Sequence, residues 1–86
     1  MRILPAVFER GETGARQPLP LIKIGNRTLR LTPGALIYDQ ENRSIIHEQL
    51  PVGAQVLYTK DQSGDIQRIY ILTNEELQRL SQAGRR

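Results

Sequence analysis

The stretch Leu50-Pro51-Val52-Gly53-Ala54-Gln55-Val56-Leu57-Tyr58 reads as a tight turn that delivers the chain into a central strand. Pro51 stops what precedes it, since its ring fixes φ and removes a backbone donor. Gly53 stands where the backbone must bend sharply, a place suited to a residue without Cβ. Ala54–Lys60 and Ile66–Leu72 then form a hairpin across Asp61-Gln62-Ser63-Gly64-Asp65, with Gly64 available for a left-handed position. A three-residue loop would pair Val56 with Tyr70, and a four-residue loop would pair Val56 with Ile71. The second is preferred because it gathers Val56, Tyr58, Ile69 and Ile71 on one face. Leu57, Tyr70 and Leu72 then line the other face and need cover.

That cover follows directly in the chain. Thr73-Asn74-Glu75-Glu76 is a capping box, with Leu72 and Leu77 at its staple positions. A helix over residues 74–82 is expected, with Leu77 and Leu80 as its apolar pair and Gly84 as its stop. At this length it must dock on the sheet to be stable.

Upstream, Leu19–Leu31 is a second hairpin around Gly25-Asn26. Its register pairs Ile24 with Arg27, Ile22 with Leu29 and Pro20 with Leu31, so Ile22, Ile24, Leu29 and Leu31 share a face. Lys23, Thr28 and Arg30 face the other way. Thr32-Pro33-Gly34 is expected to turn the chain into a short third strand at Ala35–Tyr38. Asp39–Arg43 has turn chemistry, with Asn42 able to take positive φ. Ser44–Leu50 starts as a strand at Ile45 and can end as one helical turn from His47 to Leu50. Residues 1–18, broken by Pro5, Gly11, Gly14 and Pro18, read as a flexible arm, with a short strand at Ala6-Val7-Phe8 as the alternative. The expectation is a mainly β protein: a small antiparallel, partly open barrel or bent sheet of about five strands with one C-terminal helix. Residues 19–84 would form a single domain behind the arm.

Eighty-six residues allow one domain, and a chain of this size buries only about 60% of its unfolded surface. There is no cysteine, so disulfides and thiolate metal sites are excluded. The net charge is +3, partly from Arg85 and Arg86 at the tail. No stretch reaches the length of a membrane span, and the opening apolar run before Glu9 is too short for a signal-peptide core. That places the expected compartment in the cytoplasm, or in the periplasm if an export signal is missing from the chain.

The residue inventory argues against an enzyme. His47 is the single histidine and reads as an exposed loop residue. Asp39, Glu41, Asp61 and Asp65 lack the alternating ligands of a calcium loop and read as turn formers. No metal or cofactor is expected. The candidate binding surface consists of Tyr38, Tyr58 and Tyr70 with Lys23, Arg27, Arg30 and Arg68. Tyrosines of this kind stack bases and basic side chains contact phosphates in some small barrels; equally, tyrosines pack their rings and keep their hydroxyls wet.

Taken in order, the Gly25-Asn26 hairpin, Thr32-Pro33, Ile37-Tyr38-Asp39, Leu50–Val56, the Asp61–Gly64 loop and Ile66–Leu72 resemble a group of small, mostly uncharacterised bacterial β-barrel proteins. The group includes accessory proteins linked to type 4 pilus biogenesis. The resemblance covers about residues 20–72 and rests on structural motifs. It implies a barrel fold and an accessory role, and it carries no catalytic motif. The leading expectation is therefore a non-catalytic interaction module whose partner is another protein, bound at a sheet edge or at the tyrosine-bearing face. The alternative is a nucleic-acid-binding small barrel.

Overall fold

The computed structural model of the chain describes residues 2–83. The elements are β1 (Glu9–Glu12), β2 (Leu21–Ile24), β3 (Arg27–Tyr38), β4 (Ser44–Ile45), a 3₁₀ turn (His47–Gln49), β5 (Gln55–Lys60), β6 (Ile66–Ile71) and α1 (Asn74–Ala83). The helix stop expected at Gly84 lies outside the described residues. The protein is mainly β with one short C-terminal helix, and its sheet curls into a half-barrel.

The strands run in the order β1-β5-β6-β3-β2, with β4 on the flank of β3. Both hairpins take the expected registers. Ile22 faces Leu29 and Ile24 faces Arg27; Val56 faces Ile71 and Tyr58 faces Ile69. Gly25 supplies the positive φ of the first turn and Gly64 that of the second. The sheet is not wholly antiparallel, since β3 and β6 run parallel. That pairing joins segments far apart in the chain, which no turn signal marks.

The turn expected at Thr32-Pro33-Gly34 is a bulge inside one twelve-residue strand. Leu31 pairs with Ile66 and Leu36 with Arg68, so Thr32–Ala35 stand opposite the single residue Gln67. Pro33 has no N–H to give to a ladder, and Gly34 takes φ of 82°. These two residues let β3 bend around the core without ending.

The expected arm over residues 1–18 is corrected at residues 9–14, which pair with the sheet. Residues 9–12 form β1, which lies against β5 with Glu9 opposite Tyr58 and Gly11 opposite Val56. The alternative strand at Ala6-Val7-Phe8 is displaced too, because pairing starts at Glu9. The chain then bridges from Thr13 to Ile24, with Gly25 N–H donating to the Glu12 carbonyl and Gly14 N–H to that of Lys23. One bridge thus joins the two edges of the half-barrel. Gly11 is needed for close approach: a Cβ there would collide with Ile24. A glycine that reads as a breaker is a packing residue.

Two apolar clusters result. The inner one holds Ile22, Ile24, Leu31, Ile37, Leu50, Val56, Tyr58, Ile66, Ile69 and Ile71. The outer one holds Leu57, Tyr70 and Leu72, covered by Leu77 and Leu80 of α1 together with Leu4 and Tyr38. The capping box forms as expected: Glu76 N–H donates to Thr73 Oγ1 at 3.1 Å, and Thr73 N–H to Glu76 Oε1 at 3.0 Å. Gly53 has φ of 83°, and its amide donates to the Thr13 carbonyl. The turn before β5 therefore also holds the end of β1.

Candidate functional site

The fold separates the seven residues of the expected binding surface. Tyr58 lies in the inner core, its hydroxyl donating to Glu9 Oε1 at 3.2 Å. Burial, then the charge and hydrogen bond of Glu9, push the Tyr58 phenol upward. Glu9 also meets Lys60 Nζ at 2.9 Å and Arg27 Nη1 at 3.8 Å. The hydrogen bond from Lys60 chiefly holds its carboxyl below the usual range, and desolvation is the next-largest effect and opposes it. Arg30 is exposed and pairs with Asp65 at 3.0 Å. Lys23 is half-buried beside Gly14. Arg68 is exposed, opposite Thr59 and Leu36. The basic residues do not gather into a stripe, and two of them face carboxylates.

Tyr38 and Tyr70 do come together. Their rings stack with centroids 5.1 Å apart and planes at 19°. Tyr70 is buried under the outer cover and Tyr38 is half-buried, so Tyr70 offers no open face to solvent. Arg2 closes this place from above, its guanidinium 5.5 Å from the Tyr70 centroid. Arg2 Nε donates to Glu76 Oε2 at 2.9 Å and Nη2 to Glu76 Oε1 at 3.0 Å. Nη2 also donates to the Ile71 carbonyl at 2.6 Å, and Nη1 donates to the Asp39 carbonyl. The side chains are only 8% and 4% exposed. Burial pushes the Glu76 carboxyl up, but the Arg2 hydrogen bonds, the Thr73 amide and the Arg2 charge outweigh it, and the net shift is downward from 4.5. Sequence reasoning assigns Glu76 only to the capping box. It gives no signal for Arg2, which sits in a stretch without alternation.

The two acidic loops behave as turn formers. Asp39 Oδ1 accepts from the amides of Glu41 and Arg43, and Asp61 Oδ1 accepts from those of Ser63 and Asp65. No group of His, Asp or Glu that could hold a metal occurs among the described residues. His47 is half-buried instead of exposed, and its Nε2 lies 3.0 Å from the Leu21 carbonyl, to which it donates. No described helix is long and apolar enough to cross a membrane.

A groove of about 900 Å³ opens along the bulge of β3. β2 pairs with β3 through Arg30, the Leu31 amide reaches Pro20, and β4 resumes the pairing at Ile37. Between them Thr32–Ala35 have no ladder partner. Leu19 and Ile46 flank the gap at 64% and 59% exposed. Pro20, Pro33, Ala35 and Ile45 extend the apolar lining, and the Arg30–Asp65 pair and His47 stand at its rim. The volume is in the range of sites that take up small ligands or a few side chains.

No family model, curated protein or solved structure matches the chain.

Proposed function

We propose that the protein is a non-catalytic interaction module that receives an extended apolar segment of another protein in the groove over Thr32–Ala35. The observation that supports this most is the break in pairing on the β2–β4 flank of β3. An unpaired stretch of a sheet edge can receive an extended segment, with main-chain bonds and side-chain pockets sharing the recognition; here Pro33 offers no N–H and Gly34 is not extended, so the apolar side chains carry most of it. Leu19 and Ile46 leave apolar surface in water on both sides of that edge. The tyrosine-bearing face is a poorer candidate because α1 and the N-terminal segment cover it. An accessory role in an assembly, of the kind the pilus-linked group implies, is compatible with such a module.

The test is selection from a random peptide display library, followed by amide shift mapping with an enriched peptide. Enriched sequences should alternate apolar residues and perturb Thr32, Gly34, Ala35 and Ile46. Ile46→Asp should weaken binding by about tenfold or more, as loss of a central apolar anchor does, without altering thermal stability. Peptides that map elsewhere, or that ignore Ile46→Asp, would contradict the proposal.

A second reading is favoured by strand order. Counting β1, β2, β3, β5 and β6 as the barrel strands, the order is second-third-fifth-fourth-first, with the third and fifth parallel and the Thr13–Ile24 bridge bringing the first back to the second. Partly open five-stranded barrels of this order include the oligonucleotide-binding fold, though a fold hosts many functions. The charge arrangement weighs against it, since Arg27 and Arg30 face carboxylates. Labelled single-stranded DNA or RNA titrated at low salt decides: salt-dependent binding lost in Arg68→Ala would favour this reading, and no binding would remove it.

A further inference from the structure

The place occupied by Arg2 has the construction of a receptor for a guanidinium group. A carboxylate, Glu76, is set for two-pronged contact with Nε and Nη2. Two backbone carbonyls, of Asp39 and Ile71, point at the remaining donors. An aromatic floor, Tyr70 backed by Tyr38, lies beneath the cation. Each part suits the planar, five-donor fork of arginine better than the point charge of lysine. All of these groups belong to the folded body: Glu76 is fixed by the capping box, Tyr70 and Ile71 by β6, and Asp39 by its turn.

The group that fills the place is held differently. Between Arg2 and β1 the chain forms no strand or helix, and Ile3 and Val7 are 94% and 86% exposed. In this segment Leu4 packs on the outer cluster. A buried acceptor set thus holds a residue on a strap whose anchors are Arg2 itself and Leu4, so lifting the strap costs chiefly those contacts.

We propose that this pocket is an arginine-recognition site, filled in cis by Arg2 and able to take the arginine side chain of another polypeptide when the strap lifts. The proposal is independent of the groove over Thr32–Ala35. The predicted ligand chemistry is an alkylguanidinium, with its alkyl stem leaving over Tyr70.

The test begins with Arg2→Ala, which vacates the pocket, titrated with ethylguanidinium and separately with ethylammonium at concentrations well below those that denature. The Tyr70 ring and Glu76 side-chain resonances should shift and saturate with ethylguanidinium, at least about tenfold more tightly than with ethylammonium. Adding Glu76→Gln should abolish the preference. A mixture of Arg2→Ala with Glu76→Gln, one offering an empty pocket and the other a released Arg2, separates the sources. A heterodimer in sedimentation would assign the arginine to a second copy, and monomers with retained alkylguanidinium binding would assign it to a different protein. If Arg2→Ala does not fold, the same ligand is titrated into the natural chain, where loss of the protected Arg2 Hε signal reports displacement. Equal binding of both cations, or shifts spread over the surface with no saturation at Tyr70 and Glu76, would overturn the proposal.

Discussion

The inner and outer faces of this sheet are built on different terms. The inner face closes on itself: two hairpins and the bend of β3 bring ten buried side chains into one cluster. The outer face buries three, Leu57, Tyr70 and Leu72, and relies on α1 and the N-terminal strap to keep water away. The first is a continuous packed cluster, whereas the cover of the second combines the packing of Leu4, Leu77 and Leu80 with the Arg2–Glu76 ion pair and the capping box. The inner face is therefore closed by strands alone, and the outer face depends on a cover drawn from α1 and residues 2–8. That contrast gives the Arg2 pocket its interest.

The largest effect should come from the inner face. Ile69→Ala removes a fully buried side chain from the centre of the inner cluster. It should cost about 2–5 kcal/mol, measured by denaturant unfolding, and should lower the protection of all strands together. A loss confined to β5 and β6 would mean that the inner face is not one unit.

Glu76→Ala should rank next, at about 2–3 kcal/mol. Breaking a buried pair by removing one partner is costly, but here the orphaned Arg2 can swing into water on its strap. The change also removes half of the capping box. Its protection loss should centre on α1, which sharpens the contrast between the faces. Gly11→Ala should follow at about 1–3 kcal/mol, the ordinary range for overpacking, because its Cβ meets Ile24. Retained stability would show that β1 can move away from β2 without cost.

Acid titration gives a further test of the outer face. The folded-state pKa of Glu76 lies below its ordinary 4.5, since Arg2 and the Thr73 amide outweigh the opposing effect of burial. Unfolded chains then take up the proton first as pH falls. The stabilisation is complete above 4.5 and is lost as pH drops through the depressed native value. Glu76→Gln should flatten this acid limb in thermal melts as a function of pH. The smallest effect belongs to Arg27→Ala. Its contact with Glu9 is 3.8 Å long and its side chain is 62% exposed, so the change should stay within about 0.5 kcal/mol.

The same contrast separates what the sequence makes legible from what it hides. Alternation and turn residues specify both hairpin registers, and the need to cover Leu57, Tyr70 and Leu72 leads directly to the capped helix. These signals are local. The parallel contact of β3 with β6 is remote in sequence and leaves no trace in either segment. Pro33 and Gly34 read as a turn because a bulge uses the same residues. Gly11 and Gly14 read as breakers, although Gly11 is where two strands come close. Of the candidate binding residues, Tyr38 and Tyr70 meet as a stacked pair, but Tyr58 belongs to the core and the basic residues are dispersed. Arg2 carries no pattern at all, since the pocket that receives it is assembled from two stretches, 38–39 and 70–76, that are distant from each other and from residue 2.

Native-state hydrogen exchange on Arg2→Ala beside the natural chain tests this division most directly. Faster exchange is expected over α1, with the amides of Ile22, Leu29, Val56 and Ile69 unchanged. Uniform acceleration across those four amides as well would show that the two faces form one cooperative body and that the outer cover is not separable.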